Sequence, residues 1–183
     1  GASLAVCRGR LEMRGLFWGL AIVFGAALLS PARAADEAAT TLDYFTVENV
    51  SAALTELGAT DLKTYDAPGG HKGIQASLGG YKLAMSIQQC DAAGCTGLLF
   101  GTQFSTDGRD VSAETLLSFT RKYPPTPALR TEGGVALMRA LISDGGIRST
   151  NLKANFALLI GIIPAFVKHV NEAALPEVDD ELA

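Results

Sequence analysis

Two runs of alternating residues joined by Cys90-x4-Cys95 constrain this chain more tightly than any other feature of it. From Tyr81 to Gln88 the apolar side chains fall at odd positions (Tyr81, Leu83, Met85, Ile87) and mostly polar or small ones at even positions. That is the period of a half-buried strand. After Cys95, the stretch Thr96 to Phe104 offers Leu98, Phe100 and Phe104 as strand positions. Asp91-Ala92-Ala93-Gly94 between the cysteines is a four-residue turn, with Gly94 free to take a left-handed conformation. The two cysteines then face each other across an antiparallel hairpin, where a Cα separation of about 4.5–5.5 Å suits an S–S bond. Closing so small a loop contributes about 2 kcal/mol in the chain-entropy model. A redox-active pair is more usually C-x-x-C at a helix start, so Cys90 and Cys95 read as a structural staple.

A disulfide requires an oxidising compartment, and the N-terminus supplies the route to one. Arg8, Arg10 and Arg14 precede Leu16 to Leu29, an unbroken run of fourteen apolar or glycine residues. Ser30-Pro31 breaks the run, and Ala32-Arg33-Ala34 offers small residues for cleavage after Ala34. This is the pattern of a secretory signal peptide over residues 1–34, with residues 1–12 reading as an upstream extension before a start at Met13. The run is shorter than the roughly 20 apolar residues of a membrane span. The protein is therefore expected in the periplasm or secreted, with no stable membrane span after cleavage. Cys7 leaves with the leader. Removing 1–34, with its four arginines and one glutamate, leaves eleven basic and eighteen acidic residues, a net charge of −7. Such a balance argues against nucleic acid, whose binders need a basic patch. At 48% apolar and 19% charged, the chain is also too hydrophobic for intrinsic disorder.

The rest of the chain reads as a flexible segment over 35–45, one domain over 46–174 and an acidic tail over 175–183. Thr46 N-caps a helix carrying Val47, Val50, Leu54 and Leu57, ended by Gly58. Ala59 to Tyr65 and Ile74 to Leu78 are short strands around the Ala67-Pro68-Gly69-Gly70 turn, and Gly79-Gly80 either divides the latter from the next strand or bends one continuous strand. Ser112 caps a middle helix with Leu116, Leu117 and Phe119, stopped by Pro124-Pro125. A second hairpin turns at Gly133-Gly134 and exits through Asp144-Gly145-Gly146; Ser149 or Thr150 caps a final helix. The order helix, strands, helix, two strands, helix makes an α+β domain: a twisted antiparallel sheet of about five strands with three helices.

No catalytic or metal-binding constellation is legible. His71 follows a turn and reads as a solvated loop residue, and His169 sits near a helix C-terminus, where positive charge suits the dipole. His71, Cys90, Cys95 and His169 have no zinc-site spacing. Asp107-Gly108-Arg109-Asp110 lacks the remaining ligands of a calcium loop, and Glu132 and Asp144 flank the second hairpin too far apart for paired-carboxylate chemistry. No catalytic residue, metal ligand or cofactor is assigned.

The last helix carries an excess of apolar residues. Leu152, Phe156, Leu159, Ile160, Ile163, Val167 and Val170 project onto one face of about 100°. Leu158, Ile162, Ala165 and Phe166 fall outside it. Two readings compete: Pro164 breaks the helix and re-phases the later face into the core, or Leu158, Ile162 and Phe166 form a dimer or partner surface. The run Phe156 to Val167 by itself is too short to span a bilayer.

This order of elements resembles the YbjN-domain family, described as sensory transduction regulators and similar in fold to class I type III secretion chaperones. The resemblance runs from Val47 to Val170. It rests on Leu54, Leu57 and Gly58 of the first helix, on Cys90-x4-Cys95 leading into Leu98-x-Phe100-x3-Phe104, on the middle helix Leu116 to Lys122, and on Leu141-Ile142-Ser143-Asp144-Gly145-Gly146-Ile147 leading into Asn151. Exported relatives usually carry Trp-Asn where this chain has Phe119-Thr120. The resemblance implies a small, non-enzymatic, chaperone-like or regulatory module that binds a protein partner or a second copy of itself. The runner-up is a module that binds a small ligand, or an unrecognised hydrolase.

Overall fold

In the computed structural model the described residues are 40–173. The expected signal peptide over residues 1–34, with Cys7, and the expected acidic tail over 175–183 lie outside them. The elements in chain order are β1 (Thr41–Leu42), α1 (Val47–Glu56), β2 (Thr60–Ala67), β3 (His71–Leu78), β4 (Tyr81–Cys90), β5 (Cys95–Ser105), α2 (Ala113–Lys122), β6 (Ala128–Thr131), β7 (Gly134–Ile142), β8 (Ile147–Arg148) and α3 (Ser149–Ala173). This is an α+β fold. Six antiparallel strands lie in the order β2-β3-β4-β5-β7-β6, and β1 pairs with β8 in a separate two-stranded sheet.

Local chemistry sets the helix ends. Thr46 Oγ1 accepts from the Asn49 backbone N–H at 3.2 Å, and Asn49 Oδ1 accepts from the Thr46 N–H at 3.0 Å, a reciprocal capping box. Ser112 Oγ accepts from the Thr115 N–H at 3.1 Å to start α2. Between β3 and β4, Gly79 and Gly80 both have positive φ (58° and 84°), and Leu78 pairs directly with Tyr81. They form a two-residue hairpin turn rather than a bend in one strand, so the main sheet has six strands.

The segment expected to be flexible over 35–45 is ordered where it is described. Thr41 and Leu42 pair with Arg148 and Ile147, and Phe45 is buried. The Phe45 N–H donates to the Cys95 carbonyl at 2.7 Å, and Ser143 Oγ donates to the Asp43 carbonyl at 2.8 Å. The domain therefore begins before Thr46.

The core lies between one sheet face and the helices. Ile74, Met85, Leu98, Phe100 and Leu137 point into it and meet Val50 and Leu54 of α1, Leu116 and Phe119 of α2, and a stripe of α3. That stripe corrects both readings of the last helix. α3 continues through Pro164 to Ala173, and Pro164 is exposed, so the lost N–H donor does not disturb the packed side. The buried residues are Leu152, Phe156, Leu159, Ile163, Phe166 and Val170, alternately four and three apart, a face of about 80° at 3.6 residues per turn. Phe166 lies on this face, 1% exposed, its ring 5.0 Å from Phe119 and 5.6 Å from Phe104 between centroids. It is a core residue and not part of an outer surface. Val167, assigned to the packed face by its sequence position, is 37% exposed instead. The aromatic contacts on the α2 side draw the buried stripe toward Phe166.

Candidate functional site

Cys90 and Cys95 are joined as a disulfide at register-paired positions of β4 and β5. Their Cα atoms are 3.9 Å apart, closer than a regular ladder position. Gln89, beside Cys90, has φ 54° and distorts the strand at this point. The turn is held by Asp91, whose Oδ1 accepts from the Ala93 and Gly94 N–H groups at 2.8 and 3.1 Å. The Tyr44 ring occupies the space a side chain at Gly94 would need. The staple thus locks the hairpin end under the segment that leads into α1.

The structure does not unite the other chemistry-bearing residues. Cys90 and Cys95 are consumed by their bond, and among the described residues no three His, Cys, Asp or Glu side chains are placed to hold a metal ion. His169 Nε2 lies 3.0 Å from the Thr115 carbonyl and 2.9 Å from Ser118 Oγ. A carbonyl only accepts, so the contact with Thr115 calls for the tautomer with hydrogen on Nε2. The Ser118 hydroxyl meanwhile donates to the same carbonyl at 2.8 Å. These contacts brace α2 against α3.

Ile162 is half-buried and Leu158 is 44% exposed. With Phe166 in the core, the three do not form one surface. The outward side of α3 carries Ala154, Ala157, Leu158, Gly161 and Pro164. By length and composition this 25-residue helix could cross a membrane, which the shorter run Phe156 to Val167 did not suggest; here its inner stripe is packed into the core.

Arg139 went unnoticed in the sequence. It is 8% exposed on the core side of β7 and donates to the Pro125 carbonyl at 3.0 Å, to Thr126 Oγ1 at 2.9 Å and to Asn155 Oδ1. All three acceptors are neutral, and Nε has no partner. Burial holds its pKa below the ordinary guanidinium range. The side chain ties the loop after α2 to α3. An Arg at the inward phase of Val135, Leu137 and Leu141 was the available signal.

One feature with room for a partner is the sheet face away from the helices. Its residues form cross-strand rows: Gly73, Ser86, Leu99 and Ala140 in one, Gln75, Ala84, Gly101 and Met138 in the next. Gln103, Ala136 and Leu129 continue the pattern on the last strands. Two glycines make space for side chains lying across the sheet. Tyr65 lies over Gly73 and donates its hydroxyl to the Met85 carbonyl at 3.1 Å, and the Met138 sulfur lies over Gly101. The face is cut by an open groove of about 770 Å³, lined among others by Lys63, Gln75, Lys82, Ala84, Gln103 and Met138. Ala84 and Ala140 are exposed, Leu129 is 46% and Ile142 52% exposed. Comparison with protein-family models and with curated proteins returns no match.

Proposed function

We propose that the chain is an exported, non-enzymatic protein-interaction module of the YbjN type, chaperone-like or regulatory in the cell envelope, whose partner docks on the open face of the six-stranded sheet. The observation that carries this reading is the composition of that face. A solvated face of an antiparallel sheet is normally polar; here Ala84, Leu99, Met138, Ala140, Ile142 and Leu129 share one side. A contiguous apolar patch of this kind is a mark of protein contact. The groove is open along the sheet, whereas a small-ligand site encloses most of its ligand, which favours a protein partner over the small-molecule alternative. The YbjN resemblance of the sequence points to the same kind of module, and the disulfide is compatible with an oxidising, exported setting.

Affinity purification of the intact protein from its own compartment tests this, with Ala84→Arg on the sheet face compared against Ala157→Arg on the outward side of α3. The expected result is loss of the co-purifying partner from Ala84→Arg alone, with thermal unfolding unchanged in both. Equal recovery from Ala84→Arg and the parent would overturn the reading.

A further inference from the structure

We infer that the groove on the open sheet face receives an acidic amphipathic helix of the partner, an inference that rests on the docking reading above. The first support is charge. Lys72, Lys153, Lys168, Arg121 and Arg130 each have a carboxylate within 2.6–3.6 Å. The side chains of Lys63, Lys82, Lys122 and Arg148 have no ion pair or hydrogen bond among the described residues, and of these Lys63 and Lys82 line the groove. Carboxylates outnumber basic groups in this chain, so the two lysines are not left single for want of acids.

The second support is spacing. Lys63 pairs across to Gln75 on β3, and Lys82 pairs across to Ser77, two residues further along the same strand. Strand geometry puts the two lysine Cα atoms about 12 Å apart. Carboxylates two helical turns apart are separated by about 11 Å, within the reach of flexible lysine side chains. Ala84, Gly101 and Met138 lie beside them on the same face and offer an apolar floor.

Backbone chemistry selects a helix over a strand. A strand laid on a sheet face, away from its edges, buries its own N–H and C=O groups without partners, whereas a helix satisfies them internally. Asp61 also lines the groove and would repel carboxylates. It suits the positive N-terminal end of a helix dipole, which gives the docked helix a polarity.

Selection of a displayed random-peptide library on the disulfide-intact protein tests the inference. Enriched peptides should carry Asp and Glu at helical spacing from large apolar residues, and Lys63→Glu/Lys82→Glu should enrich Lys and Arg instead. Lys63→Gln/Lys82→Gln should weaken the best acidic peptide about tenfold and flatten its salt dependence. If neutral or basic peptides win on the parent and Ala84→Arg abolishes their binding, the docking face stands and the acidic helix falls. If the winning peptides ignore Ala84→Arg, the docking reading falls with it. Binding that rises when residues 175–183 are removed would assign the groove to the chain's own acidic tail and overturn a separate partner.

Discussion

Tyr65 on β2 lies over Gly73 on β3, its register partner, and its hydroxyl continues to the Met85 carbonyl on β4 at 3.1 Å. One side chain thereby spans three strands on the open face. A Cβ at position 73 would occupy the space of the ring, so Gly73→Ala should displace Tyr65 and cost about 1–3 kcal/mol, as overpacking does. Tyr65→Phe removes only the hydrogen bond and should cost about 1 kcal/mol. Urea unfolding of the two variants checks the order; equal costs would mean the ring can move aside freely.

The placement of Phe166 predicts a large difference between two residues first grouped together. Phe166→Ala empties a site packed by Phe104 and Phe119 and should destabilise the fold by about 3–5 kcal/mol. Leu158→Ala, on a 44% exposed side chain, should fall within about 0.5 kcal/mol of the parent. Chemical denaturation of both variants measures this, and similar costs would contradict the burial pattern of α3.

Loss of the staple should be modest. Cys90→Ser/Cys95→Ser opens a loop of four intervening residues, worth about 2 kcal/mol in the chain-entropy model. The variant should remain folded, because the Asp91 turn and the Phe45–Cys95 backbone bond do not depend on sulfur. Circular dichroism with thermal melts reads both effects; an unfolded double variant would show that the hairpin cannot form unaided.

On the edge strand, acid should act through the Asp66–Lys72 pair. Lys72 donates to Asp66 at 2.7 Å across β2 and β3, and that hydrogen bond, then its charge, hold the Asp66 carboxyl below the ordinary carboxylate range. A carboxyl depressed on folding contributes stability above its unfolded pKa, near 3.9, and the contribution disappears as pH falls through the folded value. Both side chains are well exposed, so the contribution is small. Carboxyl NMR should place the Asp66 midpoint below that of a free aspartate, and Lys72→Gln should return it; an unmoved midpoint would contradict the assignment.

What was legible in the sequence was local. Thr46, Gly58 and Ser112 announce helix ends through side-chain and backbone chemistry within a few residues, and Cys90-x4-Cys95 announces its hairpin. The stripe of α3 was harder, because Phe166 lies only about 40° from Leu152 on a 3.6-residue helix and its place is decided by Phe119 on a distant element. Arg139 was hidden for the same reason, since its acceptors come from the loop after α2 and from α3. The open face escaped notice because alternation directs attention to inward positions. The run Val135 to Ile142, apolar on both phases apart from Arg139, carried the signal that β7 has two faces to cover.

Site-specific photo-crosslinking in the native compartment tests the central claim most directly. A photoreactive residue at Ala140 on the open sheet face and another at Ala157 on the outward side of α3 probe two exposed surfaces on opposite sides of the described fold. Docking on the sheet predicts a discrete protein adduct from position 140 and none from position 157. An adduct from position 157 alone would contradict it.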